Sequence, residues 1–122
     1  ADQALLTTYA CDTTSCGRFR TYNRTHCGRC VPCMVRKAAI HRWGFSDRTR
    51  YKFSALSGAG KTSADDPMAV ACAVLAAEQR GIDFFLGATL AFASDADRPH
   101  YRRVAEQGLA ELAALLRRDG VL

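Results

Sequence analysis

Cys27-Gly28-Arg29-Cys30-Val31-Pro32-Cys33 places three thiols within seven residues, and a fourth, Cys16, precedes them in a polar, glycine-containing stretch. Two Cys-x-x-Cys steps that share Cys30 aim three sulfurs at one point from a single tight turn, and the intervening loop only has to return Cys16. Four soft donors converging within about 2.3 Å of one centre make a closed tetrahedral shell, the chemistry of a structural zinc site. Cys16, Cys27, Cys30 and Cys33 are therefore the expected metal ligands, and zinc the expected cofactor. Pro32 suits a first helical turn, which puts Cys33 where free backbone N–H groups and the positive end of the helix dipole favour a thiolate. The metal is expected at a helix start.

Other uses of the cysteines compete with this one. Six cysteines could build a secreted disulfide framework, but there is no signal-type segment, and Cys11 and Cys72 fall outside the cluster. An iron–sulfur cluster uses a similar triple run; the ferredoxin pattern wants a fourth cysteine and a proline where this chain has Lys37 and Ala38, although Cys16 could complete a cluster. His26 is a candidate substitute ligand, read as a loop histidine because four cysteines already close the shell.

The chain has 122 residues, enough for one domain that buries about two-thirds of its unfolded surface. No apolar run reaches membrane-spanning length, so a soluble, cytoplasmic chain with free thiols and no membrane partner is expected. The net charge of +5 is unevenly distributed: residues 1–62 carry eleven Lys/Arg against three Asp/Glu, and residues 63–122 carry six against nine. Arg18, Arg20, Arg24, Arg29, Arg36 and Lys37 crowd around the cysteines. They could form a phosphate-binding rim for nucleotide or RNA, or offset the formal −2 of a divalent ion held by four thiolates.

The rest of the chain reads as helices. Residues 32–43 place Val35, Ala39 and Trp43 on one apolar stripe beside Ile40, and Gly44 supplies the stop. Residues 45–66 are polar and turn-rich, with an extended Tyr51-Lys52-Phe53. Asp66-Pro67 opens a helix to about Arg80 that is apolar nearly all round and expected to be central, with Cys72 as a buried thiol. Residues 82–94 fit helical spacing and are read as helix, although their aromatics would also suit a strand. Asp97 and Pro99 start a last helix whose seam runs through Tyr101, Val104, Ala105, Gly108, Leu112, Leu115 and Leu116, ended by Gly120. His41 and His100 have no partner suggesting catalysis and read as surface histidines. The expected fold is mainly α, a zinc-binding four-cysteine loop followed by a bundle of about four helices. Its expected organisation is a zinc-binding segment with the first helix over 1–51, a linker loop over 52–66 and a C-terminal helical extension over 67–122.

Ala55-Leu-Ser-Gly-Ala-Gly-Lys61-Thr62 satisfies a loose phosphate-loop pattern. Its context does not: no buried strand precedes it, and Asp65-Asp66-Pro67 stands where the phosphate-binding helix should begin. It reads as a decoy.

Thr14-Ser15-Cys16, the run from Cys27 to Arg36, and Gly44-Phe45-Ser46-Asp47-Arg48-Thr49-Arg50-Tyr51 together resemble the C-terminal zinc segment of the QueC family, the ATP-dependent cyano-deazaguanine synthases of queuosine-precursor biosynthesis. The similarity lies within residues 14–51, in the triple-cysteine run, the arginine three places after it and the closing Asp-x-Thr-x-Tyr. It implies structural zinc on Cys16, Cys27, Cys30 and Cys33. It also implies an N-terminal ATP-binding half, as partner within the same protein, carrying the Ser-Gly-Gly-x-Asp-Ser pyrophosphatase loop that this chain lacks. The 71 residues after Tyr51 resemble the extension of QueC-like proteins from bacterial antiviral gene clusters of the Qat type. The function so implied is a zinc-binding C-terminal domain of a deazaguanine-processing enzyme, without catalytic residues and inactive alone. The alternatives are a free-standing zinc module that binds tRNA or another nucleic acid through the basic rim, and a small protein-interaction domain.

Overall fold

The computed structural model describes residues 2–58 and 66–122, and among them the only extended pairing is a parallel bridge between His26 and Tyr51. Everything else is helix, turn or loop, as the residue pattern implies. The helices are α1 (Gln3–Tyr9), α2 (Val31–Trp43), α3 (Asp66–Arg80), α4 (Ile82–Leu86) and α5 (Arg98–Arg118). No described helix is long and apolar enough to cross a membrane.

Local chemistry sets the boundaries. Cys30 is the extended N-cap of α2 and Pro32 sits in its first turn, where a missing N–H costs no hydrogen bond. Gly44 ends α2 at φ +84°, a left-handed conformation that a side chain would strain, and its N–H reaches the Ile40 carbonyl. Pro99 lies in the first turn of α5, as expected. The helix expected over 82–94 is broken: α4 stops at Leu86, Gly87 takes positive φ, and a 3₁₀ turn covers Gly87–Leu90. α1 has no counterpart among the sequence expectations. The Asp2 carboxylate caps it by accepting the Ala4 and Leu5 N–H groups, yet α1 buries none of its residues.

α2 packs on α5 and α3 closes over both. Met34 and Ala38 of α2, Val70, Ala71 and Val74 of α3, and Ala113, Leu115 and Leu116 of α5 form the core, with Leu56 driven into it from the segment before α3. Leu56 is fully buried, so the near end of the expected linker 52–66 is anchored. Residues 59–65, including the second half of the phosphate-loop-like stretch, lie outside the described residues.

Four expectations about facing are corrected. The Val35, Ala39 and Trp43 stripe points outward; the buried face of α2 instead carries Cys33, Met34, Lys37 and Ala38. A cysteine and a lysine interrupt that face, which Ile40 also joins, so a count of apolar positions misses it. Cys72 is exposed, because Val70, Ala71 and Val74 define the inner face of α3 and Cys72 projects from the other side. Met68 and Leu75 are exposed as well, so α3 covers the core from one side instead of being surrounded by it. Along α5 the seam is buried only toward its end. Tyr101 and Val104 are exposed, Val104 at 71%.

These positions predict a graded response. Met34→Ala and Leu116→Ala each remove a fully buried side chain and are expected to lower folding stability by about 2–5 kcal/mol. Val104→Ala should stay within about 0.5 kcal/mol. Denaturant unfolding of the three variants measures the difference.

Candidate metal centre

The four clustered cysteines are drawn together by backbone geometry that can be followed amide by amide. The turn from Cys27 to Cys30 folds back so that the Arg29 and Cys30 N–H groups donate to Cys27 Sγ at 3.4 and 3.2 Å. The Arg18 and Cys27 N–H groups donate to Cys16 Sγ at 3.3 and 3.2 Å. Cys30 caps α2 and Cys33 lies at its third position, so the cluster sits at a helix start. All four side chains are buried, and their sulfurs lie within 4.8 Å of one another. Cys27 Sγ is 3.9 Å from Cys33 Sγ, and Cys16 Sγ is 3.9 Å from Cys30 Sγ.

A tetrahedron with metal–sulfur bonds of about 2.3 Å has sulfur–sulfur edges of about 3.8 Å. The cluster therefore fits a single metal ion with little rearrangement. Its electrostatics are mixed in the way a metal would resolve. Burial pushes the Cys27 thiol up, but the Arg29 and Cys30 amides outweigh it and leave Cys27 below the ordinary thiol range. Burial dominates at Cys30 and Cys33 and pushes both up, Cys33 strongly. Metal uptake would have to displace protons there, making binding pH-dependent.

Around the sulfurs lies a thin aromatic shell of Phe19, Tyr22 and Tyr51. His26 is a buried loop histidine: its ring meets Phe19 and Tyr51 edge-on, and Nδ1 is 3.9 Å from Cys33 Sγ. Burial, then the nearby Arg36, lowers its pKa and favours the neutral ring. The extended Tyr51-Lys52-Phe53 pairs with the cysteine loop, its Lys52 and Phe53 N–H groups donating to the His26 and Cys27 carbonyls at 2.8 and 3.0 Å. Asp47 secures this pairing by accepting the Tyr51 hydroxyl and the Thr49 N–H, each at 2.9 Å. The Asp-x-Thr-x-Tyr sequence is thus a clasp on the centre. Cys11 stands apart, accepting the Arg48 N–H at 3.3 Å.

The six cations expected at a common rim are divided. Arg36 turns inward to the chain itself, donating to the Ala10 and Thr13 carbonyls, the Thr13 hydroxyl and Ser15 Oγ. Lys37 is buried, with Nζ 2.8 Å from the Ser54 carbonyl, 3.3 Å from the Phe53 carbonyl and 4.4 Å from the centre of the Tyr51 ring. Burial pulls its pKa down. Arg29 lies over the Phe53 ring, and Arg18 faces Asp66 at 3.9 Å. Arg20 and Arg24 are exposed. Sequence reasoning missed the inward roles of Arg36 and Lys37, and a lysine one turn after a ligand cysteine was the available signal.

Gly28 gives the sharpest local prediction. Its φ is +87°, and a Cβ there would lie 2.1 Å from the Phe53 carbonyl oxygen. Gly28→Ala is expected to break the clasp and reduce metal retention at least tenfold, which corresponds to about 1.4 kcal/mol. Gly17→Ala, with nothing within 4 Å, should retain metal normally. Chelator competition on the two variants checks this.

No family model matches the chain, and no curated protein or solved structure matches it.

Proposed function

We propose that this chain is a structural zinc domain, the C-terminal part of a QueC-like, ATP-dependent deazaguanine-processing enzyme of the queuosine-precursor or antiviral-defence kind. The observation that carries the metal reading is the closure of the cluster: four buried thiols supply every tetrahedral position and leave none for water or substrate. A structural role follows, because a catalytic zinc keeps one position open. Sulfurs this close also favour a single ion over an iron–sulfur cluster, which interposes several irons between its thiolates.

The family reading rests on the pattern in residues 14–51. It is supported by the way those residues act as a unit, with Arg36 holding the arm before Cys16 and Asp47-x-Thr49-x-Tyr51 clasping the cysteine loop. In that reading the zinc fixes a surface for the ATP-binding half and takes no part in the chemistry. A second reading, polyanion binding by a free-standing module, is favoured by exposed Arg20 and Arg24 alone, since Arg36 and Lys37 are engaged within the chain.

Purified protein is expected to contain one zinc per chain by elemental analysis. Cys→Ser at position 16, 27, 30 or 33 should abolish stoichiometric zinc, while Cys11→Ser and Cys72→Ser leave it unchanged. Iron with visible charge-transfer absorption would replace zinc in the reading. Titration with labelled ATP and magnesium should show no saturable binding to this chain. If RNA binds through Arg20 and Arg24, the log–log salt slope should be no steeper than about −2, and Arg20→Glu with Arg24→Glu should remove it.

A further inference from the structure

Cys16 reaches the cluster by a different route from the other three cysteines. Cys27, Cys30 and Cys33 belong to one turn and the helix it opens, whereas Cys16 stands at the end of an arm, residues 12–15, that is polar and exposed throughout. α1, which leads into the arm, buries none of its residues. A buried thiol is thus delivered by a stretch with no buried side chain of its own.

Hydrogen bonds from Arg36 take the place of that packing. Its Nη1 donates to the Ala10 carbonyl at 2.7 Å and its Nε to Ser15 Oγ at 3.1 Å, while Nη2 meets the Thr13 carbonyl and hydroxyl. The last contact before the ligand, at Ser15, lies one residue from Cys16. Among the described residues the guanidinium pairs with no carboxylate, so its donors are directed to the arm. Arg36 also rides on α2, one turn beyond Cys33, so it registers the arm against the same rigid element that carries Cys30 at its cap and Cys33 in its first turn.

We propose that Arg36 is a positioning residue that latches Cys16 into the cluster, and that without it a metal ion would be held by Cys27, Cys30 and Cys33 alone, with the fourth position open. This rests on reading the cluster as a metal site. A closed shell is what separates a structural zinc from a catalytic one, and here the closure depends on one hydrogen-bonded arm. The shape of the fork matters more than its charge, because several acceptors have to be held at once.

The test follows each thiol separately. The whole chain, loaded with zinc, is treated with iodoacetamide, and labelling at each cysteine is read by mass spectrometry with exposed Cys72 as the internal reference. All four cluster thiols of the unaltered protein are expected to be protected. Arg36→Gln should label at Cys16 faster by about tenfold or more, while Cys27, Cys30 and Cys33 stay protected. Loaded with cobalt(II) instead, the same variant should lose about a quarter of the sulfur-to-metal charge-transfer absorption, one thiolate in four. Arg36→Lys keeps the charge without the fork and is expected to behave as Arg36→Gln. Cys16 protected as well as its partners in Arg36→Gln would overturn the proposal, as would an equal loss of protection at all four thiols or full recovery by lysine. If the Arg36 variants do not fold, Ser15→Ala decides, since it removes one acceptor at an exposed position: faster labelling confined to Cys16 supports the latch, and unchanged labelling overturns it. Unaltered protein that takes up no divalent ion would overturn this inference together with the reading beneath it, whereas normal uptake with Cys16 still protected in Arg36→Gln overturns the inference only.

Discussion

The meeting of four sulfurs at the start of α2 is the constraint on which the first half of the molecule depends. Residues 16–30 contain no regular helix or strand, and the buried cluster they form consists of the cysteines themselves, with Phe19, Tyr22 and Tyr51 only partly covered against it. Such a shell excludes too little apolar surface from water to hold a loop of this length in one conformation. Sulfur-to-amide hydrogen bonds shape the turns, but each is weak beside the entropy of the residues it orders. A bound metal would supply what the apolar shell lacks, and its binding energy would appear directly as folding energy of this half.

α2 joins this centre to the other half. Its inner face carries Cys33 and Lys37 toward the cysteine loop and the clasp, and Met34 and Ala38 toward α3 and α5. The two clusters thus share one rigid element. A second tie comes from Asp66 at the start of α3, whose carboxylate accepts the Val31 N–H at 3.3 Å and faces Arg18. One acid therefore joins the first turn of α2, the cysteine loop and the first turn of α3. The position of the metal centre relative to the helical core follows from these contacts.

Much of this was legible in the sequence where a local rule acts alone. The cysteine spacing, the Pro32 helix start, the Gly44 stop, the Pro99 start and the extended Tyr51-Lys52-Phe53 each depend on covalent geometry or backbone sterics within a few residues, and each appears as expected. What was not legible depends on which face of a helix meets a neighbour. The stripe of Val35, Ala39 and Trp43 is apolar, yet the buried side is the one that carries Cys33 to the cluster. Position 33 fixes the rotation of the whole helix, and Lys37 is buried as a consequence. Cys72 was misplaced because α3, rich in alanine, has several faces of similar hydropathy, and Val104 because the α5 seam meets the core only from Leu109 onward. The fate of Arg36 depends on a contact with residues more than twenty positions away, which no local pattern encodes.

That last contact separates the delivery of Cys16 from that of its partners. Cys27, Cys30 and Cys33 are brought together by one turn and the helix it starts, so their ordering costs little beyond the turn itself. Cys16 has to be returned across a loop of ten residues, which carries a closure cost that turn geometry does not offset. Arg36 occupies the position that can offset it. Its guanidinium gathers the Ala10 and Thr13 carbonyls and the Ser15 hydroxyl, fixing the arm that ends in Cys16 against the flank of α2. A planar fork with several donors can hold three acceptors of a bent arm at once, where a lysine would reach them only one at a time. The arginine three places after the last cysteine is thus as much a part of the centre as the sulfurs: it orders the fourth ligand before any metal has to, leaving more of the metal's binding energy for the fold.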